Sequence, residues 1–224
     1  MKFVDSIYRI DGVFANSYLV KSGATVLIDS GMPHNGKKII AFVKSIGIDL
    51  KEIKYILLTH AHLDHAGSAD FLRKQTGAKI AIHKSDAPYL TGERNFAMPK
   101  GFAWVIFKAF GPLIAKHFKP DILLNDNDAI GEFSVISMPG HTEGSVAFYH
   151  IPSKSLFIGD TLNTEQGFLA LPAERYNLST EMIKNSLKDF ASSGIVFNNL
   201  FPGHGEPIIG NAQSKVEEFV KTLQ

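Results

Sequence analysis

The chain predicts an α+β fold: two sheets packed together with helices on the outside, in one domain spanning residues 1–224. Three observations carry this expectation. Short strand-like runs dominate both halves of the sequence, and each half closes on helical periodicity. No linker, repeat or low-complexity stretch separates the halves, and 224 residues are ample for a core.

Residues 3–10, 13–20 and 25–28 read as strands, divided by the turn signals Asp11-Gly12 and Ser22-Gly23. Asp29-Ser30-Gly31 ends the third strand, and Asp29 either caps that turn or supports a metal site from behind. Within 35–46, Ile39, Ile40, Phe42, Val43 and Ile46 recur at helical spacing, with Gly47 as a stop. A strand at 53–58 leads into a polar loop at 59–67, then a helix near 68–76 ended by Gly77, and a strand at 79–82. Further strands are expected at 121–124, 128–130, 133–139, 145–151 and 155–159. A helix at 179–192 takes Ser179 or Thr180 as N-cap, with Ile183, Leu187, Phe190 and Ala191 on its buried face. A strand at 195–201 and a helix at about 211–223 complete the chain.

Residues 88–120 stand apart as an apolar helical insertion. Phe102, Trp104, Phe107, Phe110 and Phe118 make it unusually aromatic, and Trp104 is the only tryptophan. The insertion is too short and too broken to span a membrane, which takes about 20 apolar residues, and Pro112 should split it into two helices. It packs on the core, forms a wall over an active site that favours acyl or aromatic groups, or makes a homodimer contact.

Composition excludes several function classes. With 23 basic and 22 acidic residues, no broad field draws in nucleic acid or anionic lipid. There is no cysteine, so disulfides and thiolate ligands are absent and any metal is held by nitrogen and oxygen. The N-terminal Met-Lys-Phe-Val-Asp-Ser lacks the apolar core of a signal peptide, and a cytoplasmic enzyme is expected.

The chemistry gathers in Thr-His-Ala-His-Leu-Asp-His-Ala-Gly at 59–67, where His60, His62, Asp64 and His65 follow a buried strand. The pattern suits neither strand nor helix for long, so it reads as a loop whose side chains converge. Imidazole and carboxylate are ligands of zinc, iron and manganese. Three later strands run into Gly140-His141-Thr142, Gly159-Asp160-Thr161 and Gly203-His204-Gly205. Each turn alone is weak evidence. Together with the 60–65 cluster they supply seven metal-capable residues, too many for one catalytic zinc and suited to two ions.

This order of motifs is similar to that of the metallo-β-lactamase superfamily, along essentially the whole chain. The resemblance implies a four-layer αβ/βα sandwich of two mixed sheets. It implies a binuclear site in which His60, His62 and His141 hold one divalent ion, Asp64, His65 and His204 hold the other, and Asp160 bridges them. Zinc is the first expectation, with iron or manganese as alternatives. A hydroxide bridging the metals would attack the substrate, with Asp64 taking its proton.

Asp160 as a bridge resembles the glyoxalase II, lactonase and phosphodiesterase branches more than true β-lactamases. Glyoxalase II enzymes carry a further C-terminal helical region, whereas about 20 residues follow His204 here. Acyl-homoserine lactonases have a tyrosine three residues after the bridging aspartate, where this chain has Asn163. Ribonuclease Z needs a substrate-binding arm and a basic surface, and neither is found. The expectation is a hydrolase of a thioester, lactone or other ester-like small molecule. A phosphodiesterase is one alternative. Another is a mononuclear iron enzyme like the persulfide dioxygenases, using His60, His141 and Asp160. A non-enzymatic binding protein is disfavoured because all seven ligands are present.

Overall fold

Each strand divides its side chains between two apolar layers, and that division builds the sandwich. In the computed structural model, which describes residues 1–4, 6–11, 13–95 and 117–223, β1 (Ile7–Ile10), β2 (Ser17–Lys21), β3 (Thr25–Ile28), β4 (Ile53–Leu57), β5 (Lys79–His83) and β6 (Ile122–Leu124) form one sheet in that order. Its first two pairings are antiparallel and the other three parallel. In β3, Val26 and Ile28 face the second sheet while Leu27 faces helices, following the two-residue period of a strand.

The second sheet comprises β7 (Ala129–Ile130), β8 (Phe133–Ser137), β9 (Val146–His150), β10 (Ser155–Gly159) and β13 (Asn199–Pro202), in the order β13-β10-β9-β8-β7. Only β10 and β13 pair in parallel. A separate hairpin, β11 (Asn163–Glu165) with β12 (Phe168–Ala170), follows β10.

Between the sheets lie Val26, Ile28 and Leu57 from one side and Phe133, Phe148, Phe157 and Phe201 from the other. Phe157 and Phe201 stack with centroids 4.8 Å apart, an arrangement that adds to the value of their burial. Outside the first sheet, α1 (Gly36–Ser45) and α3 (Ala69–Thr76) bury Ile39, Val43 and Leu72 against Leu27, Ile56 and Ile80. Outside the second, α5 (Thr180–Ser192) and α6 (Ala212–Lys221) bury Ile183, Leu187, Phe190 and Val216 against Leu156, Ile158 and Leu200. Two short helices, α2 (Leu63–Ala66) and α4 (Ala87–Thr91), precede and follow the α3–β5 unit. The layers run helix, sheet, sheet, helix, as the resemblance implied.

Several expected boundaries shift, each for a physical reason. β1 starts at Ile7 rather than residue 3, because Phe3 N–H donates to Ile7 O and Ile7 N–H to Val4 O, turning the chain back. The last strand starts at Asn199 rather than 195: the apolar run before it leaves Val196 54% exposed and outside the ladder. Residues 63–66 form one helical turn, closed by donation from His65 and Ala66 N–H to His62 O, where the sequence suggested loop throughout. Ser179 is the N-cap of α5, its hydroxyl accepting from Met182 N–H. The three-residue strands β11 and β12 were not anticipated. Most of the insertion expected at 88–120, including Phe102, Trp104, Phe107 and Phe110, lies outside the described residues. No helix among the described residues is long and apolar enough to cross a membrane.

Candidate metal centre

Four strand ends deliver the seven expected residues to one edge of the sandwich. β4 supplies His60, His62, Asp64 and His65 through the segment that follows it, β8 supplies His141, β10 Asp160 and β13 His204. Three overlapping groups have ligand atoms within 4.8 Å of one another: His60, His62 and His141; His60, His65 and Asp160; and Asp64, His65 and His204. His141 Nε2 lies 2.9 Å from His62 Nδ1. Asp160 reaches both sides, with Oδ2 3.6 Å from His141 Nε2 and 3.3 Å from His204 Nε2, and Oδ1 3.3 Å from His65 Nε2. Asp64 Oδ2 is 3.3 Å from His204 Nε2 and 3.8 Å from His65 Nε2.

The outer nitrogens of three rings are held, which fixes the direction of the inner ones. Asp29 Oδ2 lies 2.8 Å from His65 Nδ1 and accepts from Thr59 Oγ1, while its Oδ1 accepts from Thr59 N–H. Thr59 Oγ1 in turn lies 3.1 Å from His60 Nδ1. Asn177 Oδ1 faces His141 Nδ1 at 2.9 Å, and its amide is locked the right way round by donating to Pro172 O and Thr180 Oγ1. Nδ1 of His65 and of His141 thus carries a proton, which in the neutral His141 ring leaves Nε2 to face the cluster as an acceptor.

Backbone geometry explains how such crowding is reached. Gly159 has φ +55, a conformation disfavoured for other residues, and a Cβ there would lie 2.7 Å from Thr59 Oγ1. The His204 turn is held by Asn16, whose Nδ2 donates to Pro202 O and Gly205 O, and by the buried Tyr18 hydroxyl, which donates to Pro202 O.

The electrostatics split the cluster in two. Burial, reinforced by neighbouring histidines, holds His60 well below the ordinary imidazole range and takes His62 down to about 3. Burial also lowers His141. These three are neutral and offer lone pairs. On the other side, burial opposes ionisation of the histidines, but Asp160, Asp29 and Asp64 outweigh it at His65 and hold it well above its usual value. His204 is likewise lowered by burial yet held at about 9 by its hydrogen bonds to Asp160 and Asp64. Burial pushes Asp64 up, but His65 and His204 draw it to about 2; the same balance leaves Asp160 well below the carboxylate range.

Among the described residues, four buried side-chain polar atoms have no hydrogen-bond partner, and three of them are His60 Nε2, His65 Nε2 and Asp160 Oδ1. Polar atoms are rarely left so, given a cost of about 1–3 kcal/mol each. His60 Nε2 faces the cluster unpaired, and His65 Nε2 and Asp160 Oδ1 face each other as an ion pair at 3.3 Å without a hydrogen bond; such an arrangement of imidazoles and carboxylates fits divalent cations held by nitrogen and oxygen.

The structure brings together all seven residues that the sequence singles out, but some of what holds them carries no sequence signal. Asn177 lies 36 positions from His141, in a stretch with no local signal of its role. Asp86 reads as an ordinary helix start before Ala87-Pro88. Asp29, open between two roles in the sequence, has φ 55 at the turn and also supports His65 and Thr59.

The fold and this cluster define a metal-binding sandwich protein. The chain belongs to the metallo-beta-lactamase superfamily, whose family model matches residues 10–204. It is 29% identical over 220 residues to the probable metallo-hydrolase YflN of Bacillus subtilis (strain 168), covering 88% of this chain and 82% of that protein. It is 33% identical over 111 residues to a hydroxyacylglutathione hydrolase of Ectopseudomonas mendocina (strain ymp), covering 48% of this chain and 32% of that protein. Among solved structures, it is similar to TTHA1623 in a di-iron-bound form, with TM-score 0.71 and 27% identity, covering 95% of this chain and 98% of that one.

Proposed function

We propose that this chain is a two-metal hydrolase acting on a thioester, lactone or other ester-like small molecule. The family and the site together make it a metal-dependent hydrolase. The observation that carries the two-ion reading is a pair of ligand groups that share no residue, His60-His62-His141 and Asp64-His65-His204, with Asp160 within 3.6 Å of a ring nitrogen in each. In this reading His60, His62 and His141 hold one ion, Asp64, His65 and His204 the other, and Asp160 both. The di-iron form of TTHA1623 supports two ions and makes iron a serious alternative to zinc. When bound, the ions supply an acidified water and an electrophile for the substrate's carbonyl oxygen.

The chain's own residues do the rest. Asp64, held ionised and only partly covered, accepts the proton of the attacking water and returns it to the leaving group. Asn177 and Asp29 keep the His141 and His65 rings in place through the reaction. Phe14, 75% exposed, meets the His204 ring edge-on at 5.6 Å and offers an apolar rim to an organic acyl group. Similarity to part of a hydroxyacylglutathione hydrolase supports a thioester. Metal content by mass spectrometry, with a panel of thioesters, lactones and bis-(p-nitrophenyl) phosphate, tests the proposal. About two ions per chain and turnover of a thioester or lactone are expected from it. One ion per chain, or turnover of the phosphodiester alone, would overturn it.

A further inference from the structure

Asp86 is a fully buried carboxylate outside the seven, and it makes no ion pair among the described residues. It sits at the N-cap of α4, where aspartate normally accepts from its own helix. Here it makes no such bond. Its Oδ2 accepts from Ala61 N–H and from Thr142 Oγ1, each at 2.8 Å, and its Oδ1 accepts from Gly144 N–H at 2.7 Å. Ala61 lies between His60 and His62, and Thr142 follows His141. One carboxylate therefore ties the segment leaving the first sheet to the turn leaving the second. Gly144 lets the turn come this close, since a Cβ there would lie 2.7 Å from Asp86 Oδ1. Burying a charge without a counter-ion is costly, and both of its oxygens go to these two segments.

We propose that Asp86 is a positioning residue for the metal centre, setting the separation between the His60–His62 segment and the His141 turn so that their three ring nitrogens meet. It acts through those segments and touches neither ion nor substrate. The inference rests on the two-ion reading above and concerns only the group made by His60, His62 and His141. The other group has supports that Asp86 does not touch, Asn16 behind the His204 turn and Asp29 behind His65, the latter also holding Thr59 beside His60. Asparagine has the shape of aspartate but turns one acceptor into a donor, so Asp86→Asn sets an NH2 against Gly144 N–H or against Ala61 N–H. Thr142→Val removes only the hydroxyl, and Thr142→Ser restores it.

The test strips the full-length wild type and these three variants with a chelator and titrates each with cobalt(II), following visible absorption and competition with a chromophoric chelator. Wild type should take up two equivalents. In Asp86→Asn one equivalent should weaken by about 10–100-fold, with a changed cobalt spectrum, while the other keeps its affinity. Thr142→Val should shift the same equivalent in the same direction, Thr142→Ser should match wild type, and the metal-free melting temperatures should stay close together. If Asp86→Asn does not fold, the Thr142 pair decides. Wild-type affinities and spectra in the variants would overturn the positioning role. So would an equal loss of both equivalents that tracks a fall in metal-free melting temperature, since that is a structural effect. A wild type that takes up no cobalt would overturn the two-ion reading itself, and this inference with it, and differs from a loaded wild type matched by its variants.

Discussion

Asp29 Oδ2 lies 2.8 Å from His65 Nδ1, with both side chains buried and the aspartate backbone in the left-handed region at φ 55. The same carboxylate accepts from Thr59 N–H and Thr59 Oγ1. A turn residue at the end of β3 thereby sets the ring of a residue in α2 and the backbone just before His60.

Replacing Asp29 by Ala leaves His65 Nδ1–H and Thr59 N–H buried without acceptors, at about 1–3 kcal/mol for each. Metal affinity should also fall by about 10–100-fold, because the ring is no longer aimed. Denaturant unfolding of the chelator-treated protein measures the first effect and zinc competition the second. Wild-type values in both would show that the contact orients nothing.

Asp160→Ala should bind fewer than two ions and lose most turnover, since Asp160 reaches His141, His65 and His204 at once. Mass spectrometry of the metal-loaded variant is the check. Full occupancy with full activity would mean that Asp160 holds no ion.

Asp64→Asn keeps the size of the side chain but removes a proton acceptor, and the turnover rate should drop by about 10²–10⁴-fold. Metal content needs measuring alongside, because Asp64 also belongs to a ligand group. A loss of only about two- or threefold at full occupancy would take the proton-transfer role away from Asp64.

Gly203→Ala places a methyl group against Asp160 Oδ1 and 2.8 Å from His65 Cε1. Overpacking of this kind costs about 1–3 kcal/mol. Because the clash falls on two residues of the cluster, metal affinity should suffer more than the stability of the metal-free fold. Thermal melts with and without zinc separate the two, and an equal shift in both would count against the crowding described here.

The metal-free protein should lose stability as pH rises from about 6.5 to about 9. Its His204 cation is stabilised between Asp160 and Asp64, so its folded pKa of about 9 lies above the unfolded value near 6.5. That contribution is fully present below pH 6.5 and is lost as pH passes through 9. Melting temperatures of chelator-treated protein across this range provide the test; a flat or rising trend would contradict it.

The sequence by itself determined which residues are candidates for the metal centre and roughly where the strands lie. His60, His62, Asp64 and His65 are legible because four ligand-type side chains crowd six positions after an apolar run. His141, Asp160 and His204 are legible because each follows a strand and a glycine. These are local signals: residue type, spacing and period. Only the tertiary structure decided what holds the centre in shape. Asp86 reaches Thr142 across 56 positions and Asn177 reaches His141 across 36, contacts that exist only because two sheets packed around Phe157 and Phe201 bring their ends to one edge. A lone aspartate before a helix or a lone asparagine in a loop has the same local appearance with or without such a partner. The helical turn at Leu63–Ala66 was hidden for the same reason: one turn of four residues carries too little periodicity to read, and what stabilises it is burial of His65 and Ala66 against the folded core.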